Sequence, residues 1–555
     1  MLSTVHRLRE GAAHHPDRVR FQLRDGSTGW VPVTWGQVDR AVREVALGLE
    51  ALGLPRGGVG AVFAPNRIEW LYAALGLQAA GGVMVPIYPS STADQAGYIL
   101  GHAEARVVFV DTAPLLERVL TSGALDGLYR IVLLGDRGDL SAALDAAARN
   151  GVALPPAHTL ESKVRTLDEV RSAGRSRDVD GRYEGLLDRF DRADRALMLY
   201  TSGTTGRPKG VPLTYDNVLS SSEDWVDVLG GAIPEDPVDL FWLPMSHIFG
   251  WGEAGLGFEL GFTSYLCDPS EVLELVQEVR PSVFMSVPAY WEKLARAALA
   301  EPTRQQRIQR LRRDTGGRLA FCLSGGAGLD PEVKQLYLDA EVPIIEGYGL
   351  TEASPTLTMN RPGDLRLDSV GKPFPRVELR LAEDGEIQAR GPNVFGGYHR
   401  DPEATKATFT DDGWLATGDL GRLTEDGFLQ IVGRKKEILV TAGGKNIPPA
   451  NIELLFAGDE LIEHLVVYGD GKKYLVAGVW PTPAGRALDP ANLRTEVEAR
   501  VAAANAKLAH HETIKRVHVF AEPLSVEGGH LTPTLKVKRK KVYADFEAAF
   551  EGLYR

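Results

Sequence analysis

Cys267 and Cys322 are the only cysteines in 555 residues. That is too few for a disulfide framework or a cysteine-held zinc cluster, and it points to the reducing cytoplasm. Net positive charge is lacking too: 62 Lys and Arg against 74 Asp and Glu leave −12. This argues against a nucleic-acid partner and favours solubility. The stretch Met1 to Glu10 has no apolar core and so no secretory signal. An uncharged run from Trp70 to Tyr88 is interrupted by Gln78, Gly81-Gly82 and Pro86. A buried helix followed by a buried strand accounts for it better than a transmembrane span, and peripheral contact with a membrane stays open. There is no repeat of solenoid period and no low-complexity tract. What remains, 44% hydrophobic and 25% charged residues in a long chain, is a globular composition with interior enough for more than one domain.

Strand and helix patterns alternate. Thr34-x-x-Gln37 reads as a capping box, after which Val38, Val42, Val45, Leu49 and Leu52 keep helical spacing until Gly53. Val59 to Ala64 reads as a strand, Glu69 to Ala80 as a helix, and Val83 to Tyr88 and Arg106 to Asp111 as strands. That order implies an α/β fold with doubly wound parallel sheet. Ser141 to Gly185, rich in Ala, Arg, Asp and Gly, reads as loops and surface helix without a function.

The stretch Tyr200 to Gly210, Y-T-S-G-T-T-G-R-P-K-G, follows the apolar run Ala196 to Tyr200. Gly203 and Gly206 let a backbone approach a ligand, Thr201, Ser202, Thr204 and Thr205 offer hydroxyls, and Lys209 offers a cation. Together they make a phosphate cradle at a strand's carboxyl end. It is not a Walker A loop, because Pro208 separates Arg207 from Lys209. Further on, L-P-M-S-H-I-F-G places His247 among apolar residues, and Val283 to Val287 leads into Tyr290 and Trp291, for which pocket lining and core packing are equal readings. Ala320 to Gly326 runs strand into Gly325 and Gly326, as where backbone passes close to a flat ligand. In E-G-Y-G-L-T-E, Tyr348, beside Gly349, offers a ring for a purine. Thr351 offers a hydroxyl for a phosphate oxygen, and Glu352 a carboxylate for Mg²⁺. Asp419 suits vicinal hydroxyls and precedes the basic stretch Gly433 to Asn446.

These stretches, in this order, resemble the signatures of acyl-adenylate-forming enzymes, which include acyl-CoA synthetases, peptide-synthetase adenylation domains and luciferases. Tyr88 to Leu100 and the ending T-P-T-L-K look like those of long-chain fatty acyl-CoA synthetases. The resemblance implies a large N-terminal domain over 1–433, holding ATP and the acid, and a small mobile α+β domain over 434–555. By the family's pattern Tyr348, Thr351 and Glu352 take adenine, α-phosphate and metal roles, and Asp419 and Arg434 the ribose. His247 lies beside the acyl pocket, and Lys436 is the hinge. Gly443 and Gly444, with Lys445 nearby, pass the pantetheine arm of CoA, and Lys536 is the mobile lysine of adenylation. The implied reaction converts a fatty or other carboxylic acid and ATP to acyl-AMP, then to a thioester with CoA, releasing AMP and pyrophosphate. Alternatives are loading of a phosphopantetheinyl carrier protein, an aryl-acid ligase, a luciferase-like oxidoreductase and a non-catalytic nucleotide binder. The continuation Gly250-Trp251-Gly252-Glu253 departs from the long-chain pattern, so chain length and acid class stay open.

Overall fold

The computed structural model describes residues 3–26, 29–150, 156–201, 207–532 and 534–555. Among them, a seven-stranded sheet runs in the order Val164–Thr166, Arg130–Leu133, Val107–Val110, Val59–Phe63, Val83–Ile87, Arg195–Thr201, Lys209–Thr214. Its neighbours are parallel except the last pair. A nine-stranded sheet has Phe321–Ser324, Val283–Ser286, Val238–Phe241, Thr263–Leu266 and Val19–Asp25 as consecutive parallel neighbours. The strand Ile344–Gly349 joins Phe321–Ser324 in parallel. Buried residues of both sheets, among them Phe109 and Phe241, share one cluster with helices Trp35–Ala51, Ile68–Ala79 and Ile248–Leu260. The helical layer between the sheets is therefore a common core.

The local chemistry explains the elements. Thr34 and Gln37 form the expected capping box, with the Thr34 N–H donating to Gln37 Oε1 at 2.7 Å, and the helix runs Trp35–Ala51. The uncharged run resolves into the buried helix Ile68–Ala79 and the buried strand Val83–Ile87. Among the described residues no helix is long and apolar enough to cross a membrane.

The reading of 141–185 as loops and surface helix needs correction. Val164–Thr166 is the edge strand of the seven-stranded sheet, and Thr166 and Glu169 cap a helix, Leu167–Arg177, that packs on Trp35–Ala51. The two helices meet backbone to backbone. A Cβ on Gly174 would stand 1.8 Å from the Glu44 carbonyl oxygen, and one on Gly48 would stand 2.2 Å from that of Val170.

A four-stranded antiparallel sheet, Glu378–Leu381, Glu386–Arg390, Leu415–Leu423 and Leu429–Arg434, leads to a smaller unit. That unit holds the three-stranded sheet Ile462–Tyr468, Leu475–Pro481, Ile514–Val519 with its own buried clusters. The expected α/β class, a large doubly wound domain followed by a small α+β domain, is what the chain adopts.

Candidate active site

Ser202, Gly203, Thr204, Thr205 and Gly206 lie outside the described residues, but the frame that presents them is well defined. Arg195–Thr201 and Lys209–Thr214, the strands that flank them, pair antiparallel with Thr201 opposite Lys209. The Lys209 ammonium stands 4.7 Å from the centroid of the Tyr398 ring. The Tyr398 hydroxyl in turn donates to Glu352 Oε1 at 2.8 Å. The His399 N–H donates to the Gly210 carbonyl at 2.8 Å, which ties this segment to the strand pair. Burial and then the Glu352 charge raise the Tyr398 pKa, so its hydroxyl remains a donor.

Glu352 is buried in the short turn Thr351–Ala353 that follows the strand Ile344–Gly349, with Thr351 half-buried at the start of that turn. Gly349 has to be glycine: a Cβ there would lie 1.8 Å from the Pro355 carbonyl oxygen. One residue earlier, the Tyr348 hydroxyl donates to Asp419 Oδ2 at 2.7 Å. Asp419 is the register partner of Arg434, whose Nε lies 3.0 Å from Oδ1. Burial raises the Asp419 pKa, against Arg434 and the Tyr348 hydroxyl. The expected adenine and ribose residues are thus brought into one hydrogen-bonded group.

His247 is half-buried at the N-terminus of Ile248–Leu260, and its Nδ1 accepts from the Phe249 N–H at 3.1 Å. That acceptor role assigns the proton of the neutral ring to Nε2. Burial, and then the charge of Lys536, lower its pKa to about 4, so the ring is neutral at pH 7. Lys536, from the far end of the chain, lies close enough to His247, Asp419 and Arg434 for their charges to act on one another. Its loop is closed by the Thr532 N–H donating to the Lys536 carbonyl at 2.8 Å and by the Lys536 N–H donating to Thr532 Oγ1 at 3.0 Å. Its side chain remains solvent-exposed. Partial desolvation and then Arg434 lower its pKa, with Asp419 and Glu437 opposing.

Gly325 and Gly326 follow the strand Phe321–Ser324, and a Cβ on Gly325 would lie 3.4 Å from the Phe249 ring. Trp291 is fully buried in the core, so packing is its role. Tyr290 is half-buried, its ring centroid 4.2 Å from that of Trp242 with the planes tilted by 42°, and it donates to the Pro269 carbonyl at 2.8 Å. Lys436 is exposed in the turn after Leu429–Arg434. Gly443 and Gly444 occupy an exposed turn between Leu439–Val440 and Asn446–Ile447, where the Gly444 N–H donates to the Thr441 carbonyl at 2.8 Å.

Sequence reasoning missed two residues here. Tyr398 carries a legible signal, the paired glycines Gly396 and Gly397 before an aromatic. Asn66 carries almost none. Its Nδ2 donates to the Trp242 and Leu243 carbonyls at 3.1 and 2.8 Å, and its Oδ1 accepts from the Met245 N–H at 2.9 Å, clamping the turn that leads to His247.

Residues 8–399 match the AMP-binding enzyme family, and residues 436–555 match the AMP-binding enzyme C-terminal domain. The chain is 33% identical over 601 residues to the long-chain-fatty-acid–CoA ligase FadD15 of Mycobacterium tuberculosis, covering 97% of this chain and 95% of that one. It is 29% identical over 614 residues to the peroxisomal long chain acyl-CoA synthetase 6 of Arabidopsis thaliana, covering 97% and 83%. In fold it is similar to the A-PCP didomain of a carboxylic acid reductase from Segniliparus rugosus in complex with AMP. The TM-score is 0.81 at 22% identity, covering 100% of this chain and 82% of that one. The anthranilate CoA ligase AuaEII in complex with anthranoyl-AMP has a TM-score of 0.76 at 23% identity, covering 99% and 98%. The hydrogen-bonded group of Tyr348, Asp419 and Arg434, the Lys536 that faces it and the family match over most of the length agree: this chain belongs to the AMP-binding enzymes.

Proposed function

We propose that the protein uses ATP to activate a medium- or long-chain fatty acid as an acyl adenylate and then passes the acyl group to CoA, releasing AMP and pyrophosphate. One observation carries this reading: Lys536, from the small domain, lies within electrostatic reach of Asp419, Arg434 and His247. A cation therefore meets the groups suited to a nucleotide at the place where two anions have to be joined.

A carboxylate is a poor acyl donor because its leaving group would be oxide. Attack of a carboxylate oxygen on the α-phosphorus of ATP forms the mixed anhydride and expels pyrophosphate, and catalysis consists mainly of positioning and charge neutralisation. Tyr348 and Gly349 would hold the base, Asp419 and Arg434 the ribose hydroxyls, and Gly325 and Gly326 the backbone approach to it. Thr351 would donate to an α-phosphate oxygen, and Lys536 would offset charge on both reacting anions. Thr201 to Gly206 and Lys209 would hold the departing pyrophosphate. His247, neutral with its proton on Nε2, can donate to a carboxyl oxygen of the acid. Mg²⁺ is commonly held by one or two carboxylates plus substrate phosphates, and Glu352, with Oε1 taken by Tyr398, fits that donor set through Oε2. When bound, the ion supplies a divalent charge against phosphate oxygens.

In the second half-reaction the CoA thiol attacks the acyl carbonyl and AMP leaves. A domain boundary at 433/434 with a hinge at Lys436 would let the small domain carry Lys536 away and bring the turn at Gly443 and Gly444 in. Support comes from the exposed turn at Lys436 and from the half-exposed Arg296–Glu460 pair between the domains, 3.4 Å long, which costs little to break. Buried, unpaired Cys267 and Cys322 suit a cytoplasmic enzyme. The test is acid-dependent ATP–pyrophosphate exchange over a panel of carboxylic acids, followed by thioester formation with CoA or with a phosphopantetheinyl carrier. Exchange with no acid sinks the proposal, and transfer to the carrier alone replaces CoA as acceptor.

A further inference from the structure

Beneath the reaction centre lies a second polar cluster that neither the cradle nor Lys536 uses. Asp239 and Glu253 are each 1% exposed and Arg20 is fully buried. Ser264 Oγ donates to Asp239 Oδ2 at 3.1 Å and accepts from Arg20 Nη1 at 2.9 Å. Arg20 also donates to the Phe262 and Ala254 carbonyls at 3.2 and 3.3 Å and stands 4.3 Å from the ring centroids of Phe21 and Phe258. Both terminal nitrogens of Arg20 are thereby engaged, while its Nε is buried without a partner, and Asp239 Oδ1 and both oxygens of Glu253 are buried and receive no donor from another residue.

Two carboxyls that face each other out of water do not both ionise. Burial pushes Asp239 up to about 7, and burial together with Asp239 pushes Glu253 well above the usual carboxyl range. Glu253 therefore favours its protonated form, in a pair with Asp239. Its one proton, shared with Asp239, still leaves one of its oxygens without a partner in a dry site, which is costly unless something else comes to meet it.

Helical spacing says where that something lies. Phe249, Glu253 and Gly257, four residues apart, stack on one face of Ile248–Leu260. Phe249 borders the site at Gly325, and at the other end a Cβ on Gly257 would lie 2.4 Å from Arg20 Nη2. Glu253 thus sits one turn, about 6 Å, below the ring that borders the reaction centre. An acyl chain directed along this face meets a polar group after only a short run of carbons.

We propose that Glu253, paired with Asp239 and backed by Arg20, is the specificity-determining floor of the acyl site, and that the acid it selects carries a hydroxyl group partway along its chain. The proposal rests on the ligase reading above and narrows its substrate class. A hydroxyl donates to the free oxygen of Glu253, whereas an oxo group finds no donor there because the pair's proton is already shared with Asp239. An unsubstituted tail also leaves the pair unmet.

The experiment compares kcat/KM in ATP–pyrophosphate exchange for saturated acids and for hydroxy and oxo acids of the same length, in the parent enzyme and in Glu253→Leu. The parent is expected to prefer a hydroxy acid over both the saturated and the oxo acid by about tenfold, the worth of one hydrogen bond to a buried group. Glu253→Leu is expected to reverse the ranking with the KM for ATP unchanged. Exchange that follows chain length alone in the parent overturns the proposal and spares the ligase reading, and this arm decides even if the leucine variant fails to fold. An unchanged ranking in a folded Glu253→Leu also overturns it. Exchange with no acid at all overturns both.

Discussion

Tyr398→Phe isolates one atom of the site. The ring that faces Lys209 stays, and only the hydroxyl 2.8 Å from Glu352 Oε1 is lost. Glu352 is 9% exposed, so water replaces the missing donor poorly. A hydrogen bond to a charged group contributes about 1.5–3 kcal/mol, and removal of a group that orients a metal ligand lowers metal affinity by roughly 10- to 100-fold. The expected outcome is a half-saturating Mg²⁺ concentration for ATP–pyrophosphate exchange raised by about 10- to 100-fold. The rate at saturating Mg²⁺ should stay within a few-fold of the parent, because the hydroxyl orients Glu352 and touches no reacting atom. The assay is initial exchange rate against free Mg²⁺, beside a melting curve. Tyr398→Ala, which also removes the face beneath Lys209, should lose rate at every Mg²⁺ concentration. A folded Phe variant with the parental Mg²⁺ profile would refute both the metal role of Glu352 and the orienting role of Tyr398.

Lys536→Ala should slow adenylation severely while thioester formation from supplied acyl-AMP persists. Equal loss in both half-reactions, measured separately, would show that the residue has a general structural role. Lys436→Pro fixes φ near −65° and constrains the residue before it. Pyrophosphate exchange should survive far better than transfer to CoA, and a folded variant that makes acyl-CoA at the parent rate would move the hinge elsewhere. Asn66→Ala deletes three hydrogen bonds to the turn before His247, so about 2–4 kcal/mol of stability should go and the KM for the acid should rise more than that for ATP. Glu292 is buried with both oxygens unpartnered, and burial followed by Asp330 raises its pKa to about 7. Since the folded value exceeds the unfolded one, stability present below about pH 4.5 is lost as pH rises through about 7, on the order of 3 kcal/mol at most. Glu292→Gln should flatten the dependence of Tm on pH between about 5 and 7, and an unchanged slope would show that the group titrates normally.

What could be read from sequence was local. The alternation of strands and helices, the capping box at Thr34, and the loops that set glycines, hydroxyls and Lys209 after an apolar strand are each written within a dozen residues. Their partners are not. The Tyr348 hydroxyl finds Asp419, and Glu352 finds Tyr398, across folds of the chain that no periodicity encodes. The stretch 141–185 was opaque for another reason: its edge strand is only Val164–Thr166, and the small residues that suggest a loop, Gly174 above all, are what allow a helix to lie against Gly48. Small residues there mark close packing rather than its absence. Trp291 shows the converse, since an aromatic next to a site motif is fully buried in the core.

The charges at the centre are distributed so that, among the described residues, Lys536 is left without an ion pair for the reaction. Asp419 is committed to Arg434 and Tyr348, and Glu352 to Tyr398. The segment bearing Lys536 is anchored by a different residue, Arg539, whose Nη2 donates to Glu453 Oε2 at 2.8 Å within the small domain. Among the described residues Lys536 forms no ion pair, and the nearby Arg434 makes its charge less welcome in the cleft until an anion arrives. A lysine already paired would have to break that pair as the carboxylate and α-phosphate approach, and the gain would be the difference of two attractions. A lysine held unpaired by an anchor three residues away delivers its full attraction at the step where negative charge accumulates. That arrangement also lets it leave with the small domain once the pyrophosphate is gone, because no ion pair to the large domain holds it back.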